Sequence, residues 1–247
     1  MKETQDGSVP WGWWTAVALL AAHVVFQIGL TIAGLGVVAL VLLATAQLDT
    51  STLAAWATSG PFLGIVGTLG GLASLALVYG VVTHLRKLPF RATIGLIDRR
   101  WLWQAAFGAV ILGGAMDAVT LALQKPLVPD VLRPAFAGAA GIAAMLVFAV
   151  LVTPLIEELL FRGLLYPVAA RSLGVTGGVL LVSAVFGLSH VATYGLDAYL
   201  IAQTLLAGVY LTWLRARTGS LVPSVAAHAA LNLYATLEAI VATNLIK

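Results

Sequence analysis

Cysteine is absent from all 247 residues. The absence excludes disulfide bonds, thiolate catalysis, and zinc or iron–sulfur sites that depend on cysteine ligands. The zinc-protease motif HExxH is also absent. Any hydrolytic chemistry must therefore use carboxylate, imidazole, hydroxyl or amide side chains, or a metal site of another pattern.

Charge is scarce. Only 9% of the residues are charged and 61% are hydrophobic, whereas about a quarter of the residues of a soluble domain are charged. The formal net charge is +3, but the basic residues are scattered near the ends of apolar runs rather than clustered. This distribution is typical of charges that orient a chain in a membrane, and we expect no nucleic-acid partner.

Long apolar runs predict an all-α polytopic membrane protein with about seven to eight transmembrane helices, since a spanning helix needs about 20 apolar residues. The first run is much longer than the roughly 7–15 residues of a secretory signal core, so we interpret it as a retained helix. We find no internal repeat and no linker. The candidate spans are 15–46, 61–83, 102–123, 136–171, 175–193, 197–214 and 221–243.

The distribution of lysine and arginine predicts a cytoplasmic N-terminus by the positive-inside rule. With that orientation, ten of the 13 basic residues lie on the inside and three outside. The outside residues are Lys125, Arg133 and Lys247; those inside are Lys2, Arg86, Lys87, Arg91, Arg99, Arg100, Arg162, Arg171, Arg215 and Arg217.

Three charged residues, Glu157, Glu158 and Arg162, lie together in the fourth apolar run. Ionisable groups are costly in hydrocarbon and indicate function by default. Because residues four apart share a helix face, Glu158 is expected to pair with Arg162. Glu157 points about 100° away and is left as the free carboxylate.

Three further polar residues are expected at the depth of Glu157. His190 lies about as far after Gly174 as Glu157 lies before it, roughly 25 Å of helix, so an antiparallel hairpin brings the two level. His228 and Asn232, four residues apart in the last span, share a face. We therefore predict one water-filled cavity that holds all four side chains.

Other polar residues within or beside the spans have plainer interpretations. For His23 and His84 we expect hydrogen bonds to the backbone of a neighbouring helix. Asp117 and Gln27 are expected in interhelical hydrogen bonds. The remaining two are assigned to helix ends: Asp197 as the cap of the sixth span, and Glu238 at the far interface.

This set of side chains fits hydrolysis of a peptide bond. A carboxylate and an imidazole together can take a proton from water, while a second imidazole and a carboxamide can donate hydrogen bonds to the oxyanion. The same Glu157, His190 and His228 could equally be the three ligands of a catalytic zinc.

Three short motifs carry a family resemblance: EELLFR at 157–162, FGLSH at 186–190 and HAALN at 228–232. They resemble, in order, the EExxxR, FxxxH and HxxxN motifs of the CAAX-protease and bacteriocin-processing (CPBP, or Abi) family of intramembrane proteases. The family includes the Ras-converting type of CAAX endopeptidase. The similarity covers about 135–243, which suggests N-terminal helices and a loop at 1–135 and a protease core at 136–247.

The resemblance implies that Glu157 and His190 activate water and that His228 and Asn232 stabilise the oxyanion. Glu158, Arg162 and Phe186 are expected to support them. Family members are described as metalloproteases and as metal-free glutamate proteases; we favour the metal-free form, with zinc as the alternative.

The expected partners are membrane lipids and a peptide or protein substrate in or at the membrane, for which a prenylated CAAX tail, a leader peptide and an unmodified membrane protein all fit. The short loops and the lack of cysteine suit a prokaryotic inner membrane. Two alternatives remain: a non-catalytic scaffold of the same fold, and a transporter that relays protons or ions.

Overall fold

The computed structural model describes residues 10–244, and within this range the chain contains helices and loops but no strand. The all-α class predicted from the sequence is confirmed. The α-helices of the described residues are α1 (Trp13–Ala44), α2 (Thr50–Ala57), α3 (Gly60–Gly80), α4 (Phe90–Ile94), α5 (Leu102–Ala122), α6 (Gly138–Met145), α7 (Thr153–Glu158), α8 (Tyr166–Ser189), α9 (Val191–Tyr194), α10 (Ala198–Thr218) and α11 (Val222–Asn244).

Five helical runs of the described residues are long and apolar enough to cross a membrane. The predicted sixth span corresponds to α10, which has 21 residues but is less apolar than these runs. The five runs are Trp13–Ala44, Gly60–Leu85, Leu102–Ala122, Gly138–Tyr194 and Val222–Asn244.

The fourth run contains two of the predicted spans, because the chain turns at Gly174. Its φ of 73° and ψ of 170° are not helical, and a positive φ favours glycine. The reversal presses Gly178 against Ala170: a Cβ on Gly178 would lie 2.8 Å from the Cα of Ala170. The predicted turn between the fourth and fifth spans is therefore present.

Small residues on α3 let the N-terminal helices approach the motif-bearing run closely. A Cβ added to Gly64 would lie 3.0 Å from the Cβ of Ala144, and one added to Gly71 would lie 3.1 Å from Ile156. This is the close packing that small residues on one face of a membrane helix allow. It holds α7, which carries both glutamates, directly against α3.

Two π-helical segments flank α7. Leu146–Val152 precedes it and Leu159–Leu165 follows it. A π-turn inserts an extra residue into the helix, which rotates the side chains beyond it and changes the partners of backbone carbonyls; such turns occur frequently at functional sites. The short helix α7, which carries Glu157 and Glu158, therefore lies between two π-helical segments.

The buried core joins elements from both sides of residue 136. Leu19 of α1 and Val78 of α3 belong to the same apolar cluster as Leu164 and Phe186. The division into 1–135 and 136–247 follows the positions of the motifs and stays a prediction. In the structure, helices from both parts pack together around the site.

Candidate active site

The predicted ion pair between Glu158 and Arg162 is present and fully buried. Nη1 of Arg162 lies 2.8 Å from Oε1 of Glu158, and both side chains have no solvent exposure. Burying two charges is favourable only when the remaining hydrogen-bonding groups are also satisfied. Arg162 must therefore have further partners.

Those partners come from α10 and α8. The Nε of Arg162 donates to Oγ1 of Thr212 at 3.1 Å, and Nη2 donates to the carbonyl of Gly208 at 3.1 Å. The guanidinium also lies 4.3 Å from the ring centre of Phe186. Sequence reasoning missed Thr212 and Gly208, because nothing in the spacing of α10 indicates which of its faces meets Arg162.

Glu158 also holds a histidine. Its Oε1 lies 2.9 Å from Nδ1 of His228, which is 70 residues away in the sequence. A carboxylate only accepts hydrogen bonds, so the Nδ1–H of His228 is the donor and Nε2 faces the other way. Glu158 was predicted to support Glu157 through Arg162; in the structure it also orients His228 directly.

Glu157 approaches the opposite side of the same ring. Its Oε2 lies 3.8 Å from Nε2 of His228, and its side chain is 21% exposed. The separation is too long for a direct hydrogen bond. A water molecule fits such a gap, because one oxygen can bond to two polar atoms at this distance.

His190 is oriented by the first residue of its motif. Its Nδ1 lies 2.9 Å from the carbonyl oxygen of Phe186, so Nδ1–H donates and Nε2 remains available as an acceptor. The rings of His190 and Phe186 have centroids 4.9 Å apart, and Tyr194 stacks on the other side at 6.0 Å. Phe186 thus supports both His190 and Arg162.

Asn232 is anchored to a π-helical segment. Its Nδ2 donates to the carbonyl of Ala149 at 2.7 Å, and Ala149 lies within Leu146–Val152. A carboxamide nitrogen carries two N–H groups, so this contact fixes the side chain and leaves one donor for a ligand.

A cavity of about 200 Å³ brings together His190, His228 and Asn232. Glu157 is not among its lining residues and lines a smaller pocket instead. The prediction of one cavity with all four side chains was therefore wrong for Glu157. Its carboxylate approaches the cavity through His228, which lines it: Oε2 of Glu157 lies 3.8 Å from Nε2 of that ring.

A second polar cluster, Asp117, Tyr234 and Glu238, also lines this cavity. The hydroxyl of Tyr234 donates to Oδ2 of Asp117, in agreement with the predicted interhelical hydrogen bond. Glu238 lines the same cavity and lies within hydrogen-bonding reach of Asp117. Its side chain therefore meets α5, and its predicted place at the far interface stays a prediction.

Three plainer interpretations can be compared with the structure. Asp197 caps α10, accepting from the backbone N–H groups of Tyr199 and Leu200, as predicted. Gln27 donates to the carbonyl of Gly67 at 3.4 Å, also between helices. The expected backbone partner of His23 was wrong: its Nδ1 lies 2.8 Å from the hydroxyl of Ser74 on α3.

The alternative of a catalytic zinc held by Glu157, His190 and His228 stays a prediction. Within residues 10–244, no three His, Cys, Asp or Glu side chains are placed to hold one ion. The Nδ1 atoms of His190 and His228 are both engaged in hydrogen bonds, which leaves Nε2 of each ring for a water, a proton or a metal ion.

Residues 139–234 match the family described as type II CAAX prenyl endopeptidase Rce1-like. No curated protein and no solved structure matches the chain. The matched segment contains all three motifs. Of the residues described above, His23 and Gln27, their partners on α3, and the carboxylates Asp117 and Glu238 lie outside it. The match and the apolar helices indicate an integral membrane protein, and they confirm the resemblance of this chain to the CAAX-protease family of intramembrane endopeptidases.

Proposed function

We propose that this protein is an intramembrane endopeptidase in which Glu157 activates a water molecule for attack on a peptide bond. The observation that carries the proposal is the 3.8 Å gap between Oε2 of Glu157 and Nε2 of His228. A water held in this gap lies beside the cavity that His228 lines, within reach of a carbonyl carbon bound there.

In the first step Glu157 accepts a proton from the water while the water oxygen bonds to the carbonyl carbon. His190 assists by accepting a hydrogen bond from the water at Nε2. This nitrogen can accept because the proton of the ring lies on Nδ1, which donates to the carbonyl of Phe186. The electron pair of the carbonyl moves to its oxygen and a tetrahedral oxyanion forms. The proton then passes to the leaving nitrogen, and the C–N bond breaks.

The oxyanion is stabilised by His228 and Asn232. Asn232 offers the N–H that Ala149 does not use, and His228 donates from Nε2 as an imidazolium. Glu157, Glu158 and Arg162 together carry a charge of −1, so a positive His228 makes the group of four neutral. Preorganised donors of this kind contribute about 3–4 kcal/mol each to transition-state stabilisation.

The substrate we favour is a membrane-associated peptide with a lipid-modified, CAAX-type end. The cavity of about 200 Å³ is smaller than the ~300–1,000 Å³ of sites that enclose a whole small molecule. It accommodates the reacting segment, and the remainder of the substrate lies outside it. Apolar side chains such as Met116, Leu127 and Leu132 line much of its wall and suit a lipid-proximal chain.

The proposed setting is the inner membrane of a prokaryote, with the N-terminus in the cytoplasm. The basic residues support this orientation, although Lys2 and Lys247 lie outside the described residues. We propose no metal requirement, because the carboxylate and imidazole groups account for every proton in the reaction.

The experiment is cleavage of quenched fluorescent peptides, including a farnesylated CAAX peptide, by detergent-purified protein with and without a metal chelator. We expect cleavage by the wild type, unaffected by chelator, and none by Glu157→Ala or His228→Ala. Loss with chelator and recovery with zinc would contradict the metal-free mechanism. Cleavage retained in Glu157→Ala would contradict the role of Glu157, and a wild type inert towards every peptide would favour the scaffold or transporter.

A further inference from the structure

The smaller pocket lies on the side of Glu157 that faces α1 and α3. It is lined by Glu157 and Thr153 from α7 and by His23 and Gln27 from α1, together with Gly67, Gly71, Phe148, Val152 and Ile156. Its volume is about 40 Å³. A single water needs roughly 10–15 Å³ by this measure, so the pocket has room for about three.

Two polar atoms of this wall lack a partner. Oε2 of Glu157 and Oγ1 of Thr153 are buried, and neither forms a hydrogen bond with the described residues. Buried polar atoms are hydrogen-bonded in nearly all proteins, through ordered water where no side chain is available. Thr153 and Glu157, four residues apart, face the same pocket, so one water can serve both.

His23 supplies an acceptor to the same pocket. The hydroxyl of Ser74 already donates to the carbonyl of Gly70 at 2.8 Å, so the 2.8 Å contact to His23 requires Nδ1–H of the ring as donor. Nε2 of the neutral ring then carries a lone pair. The ring also lies close enough to Glu157 for an electrostatic interaction.

We propose that this pocket is the water-binding site that serves the active centre, and that His23 is a positioning residue for Glu157. The inference rests on the proposed function and deepens it. Water in the pocket donates to Glu157 and to His23 Nε2, and accepts from Thr153 and Gln27. This gives four polar partners of the kind that ordered buried waters require. The network keeps the carboxylate aimed at His228 and supplies water from a pocket that shares no lining residue with the substrate cavity.

The kinetic test compares His23→Leu and Thr153→Val with the wild type on a cleaved peptide. We expect kcat to fall by about 10- to 100-fold, as misplacement of a reacting group does, while KM changes less than twofold because neither residue lines the substrate cavity. His23→Gln, which retains a polar atom near the position of Nε2, should recover most of the kcat. The control is His84→Leu, which changes an exposed histidine and should leave both constants unaltered.

A second measurement does not depend on cleavage. The infrared carboxylate band of Glu157, identified by its loss in Glu157→Gln, should shift in His23→Leu and in Thr153→Val, and should stay in place in His23→Gln and His84→Leu. An unshifted band in both apolar variants overturns the proposal, as does a kcat within twofold of the wild type in both. If the wild type cleaves nothing but the band shifts as expected, the pocket stands and the protease function fails.

Discussion

At the residue scale, the two adjacent glutamates have separate surroundings. Glu158 is fully buried between Arg162 and His228, whereas Glu157 is partly exposed and has an oxygen without a protein partner. Neighbouring helical positions point about 100° apart, which sends one carboxylate into the core and the other to the pocket. We infer that one holds the site together and the other reacts.

The substitution Glu157→Gln should therefore separate activity from folding. It preserves the shape of the side chain but removes the base, and we expect kcat to fall by about 10²- to 10⁴-fold with an unchanged melting temperature. Peptide cleavage and thermal unfolding in detergent measure the two effects. The control Asp130→Asn, at a side chain that is 90% exposed, should alter neither. An unfolded Glu157→Gln protein would indicate that Glu157 is a structural residue.

The pair of Glu158 and Arg162 should behave differently. Arg162→Met leaves a buried, uncompensated carboxylate and should destabilise the protein by about 3–5 kcal/mol. The double variant Glu158→Leu/Arg162→Met removes both charges and should regain most of this stability, yet remain inactive because His228 has lost its acceptor. Recovery of activity together with stability would show that Glu158 has no role in positioning His228.

At the scale of helices, the contact between α8 and α10 sets the position of Phe186. A Cβ on Gly208 would lie 3.1 Å from the Phe186 ring and 3.2 Å from the backbone of Ser183. The glycine lets α10 approach closely enough for its carbonyl and Thr212 to reach Arg162. The same contact holds the Phe186 carbonyl that orients His190.

Gly208→Ala should consequently cost about 1–3 kcal/mol of stability, because the two helices must move apart. We also expect a lower kcat, since Arg162 and His190 both depend on this contact. Melting temperature and peptide cleavage are the measurements. The matched control is Gly114→Ala on α5, where an added Cβ meets nothing within 4 Å and the better helix propensity of alanine should stabilise slightly. Equal effects of the two substitutions would contradict the role assigned to the α8–α10 contact.

At the scale of the whole molecule, the arrangement of helices in the membrane can be measured directly because the chain contains no cysteine. A single introduced cysteine is then the one thiol available for labelling. Arg99 and Lys125 are exposed and lie on either side of α5, one of the five helical runs able to span a membrane. The positive-inside rule assigns Arg99 to the cytoplasm and Lys125 to the opposite side.

We expect Arg99→Cys to react with a membrane-impermeant maleimide in inside-out vesicles and not in right-side-out vesicles. Lys125→Cys should show the reverse. The cysteine-free wild type is the control for background labelling. Reaction of both positions from one side would show that α5 does not cross the membrane, and a simultaneous reversal of both would place the N-terminus outside.

The local features of this protein were determined by its sequence. The apolar runs predicted the all-α membrane fold, Gly174 predicted the turn, and the spacing of four predicted the ion pair of Glu158 and Arg162. Such features depend on helix periodicity and hydropathy, which act between residues near one another in the chain. The three motifs likewise indicated the protease family before any geometry was known.

Only the tertiary structure decided which helix faces meet. It placed Thr212 against Arg162, joined Glu158 to His228 over 70 residues, and put His23 and Glu157 in the wall of one pocket. In a chain surrounded by lipid, apolar residues occupy every face of a helix, so hydrophobic periodicity does not reveal the buried side. The rotation of each helix is set instead by close packing of small residues and by a few polar contacts, which form only when the helices assemble.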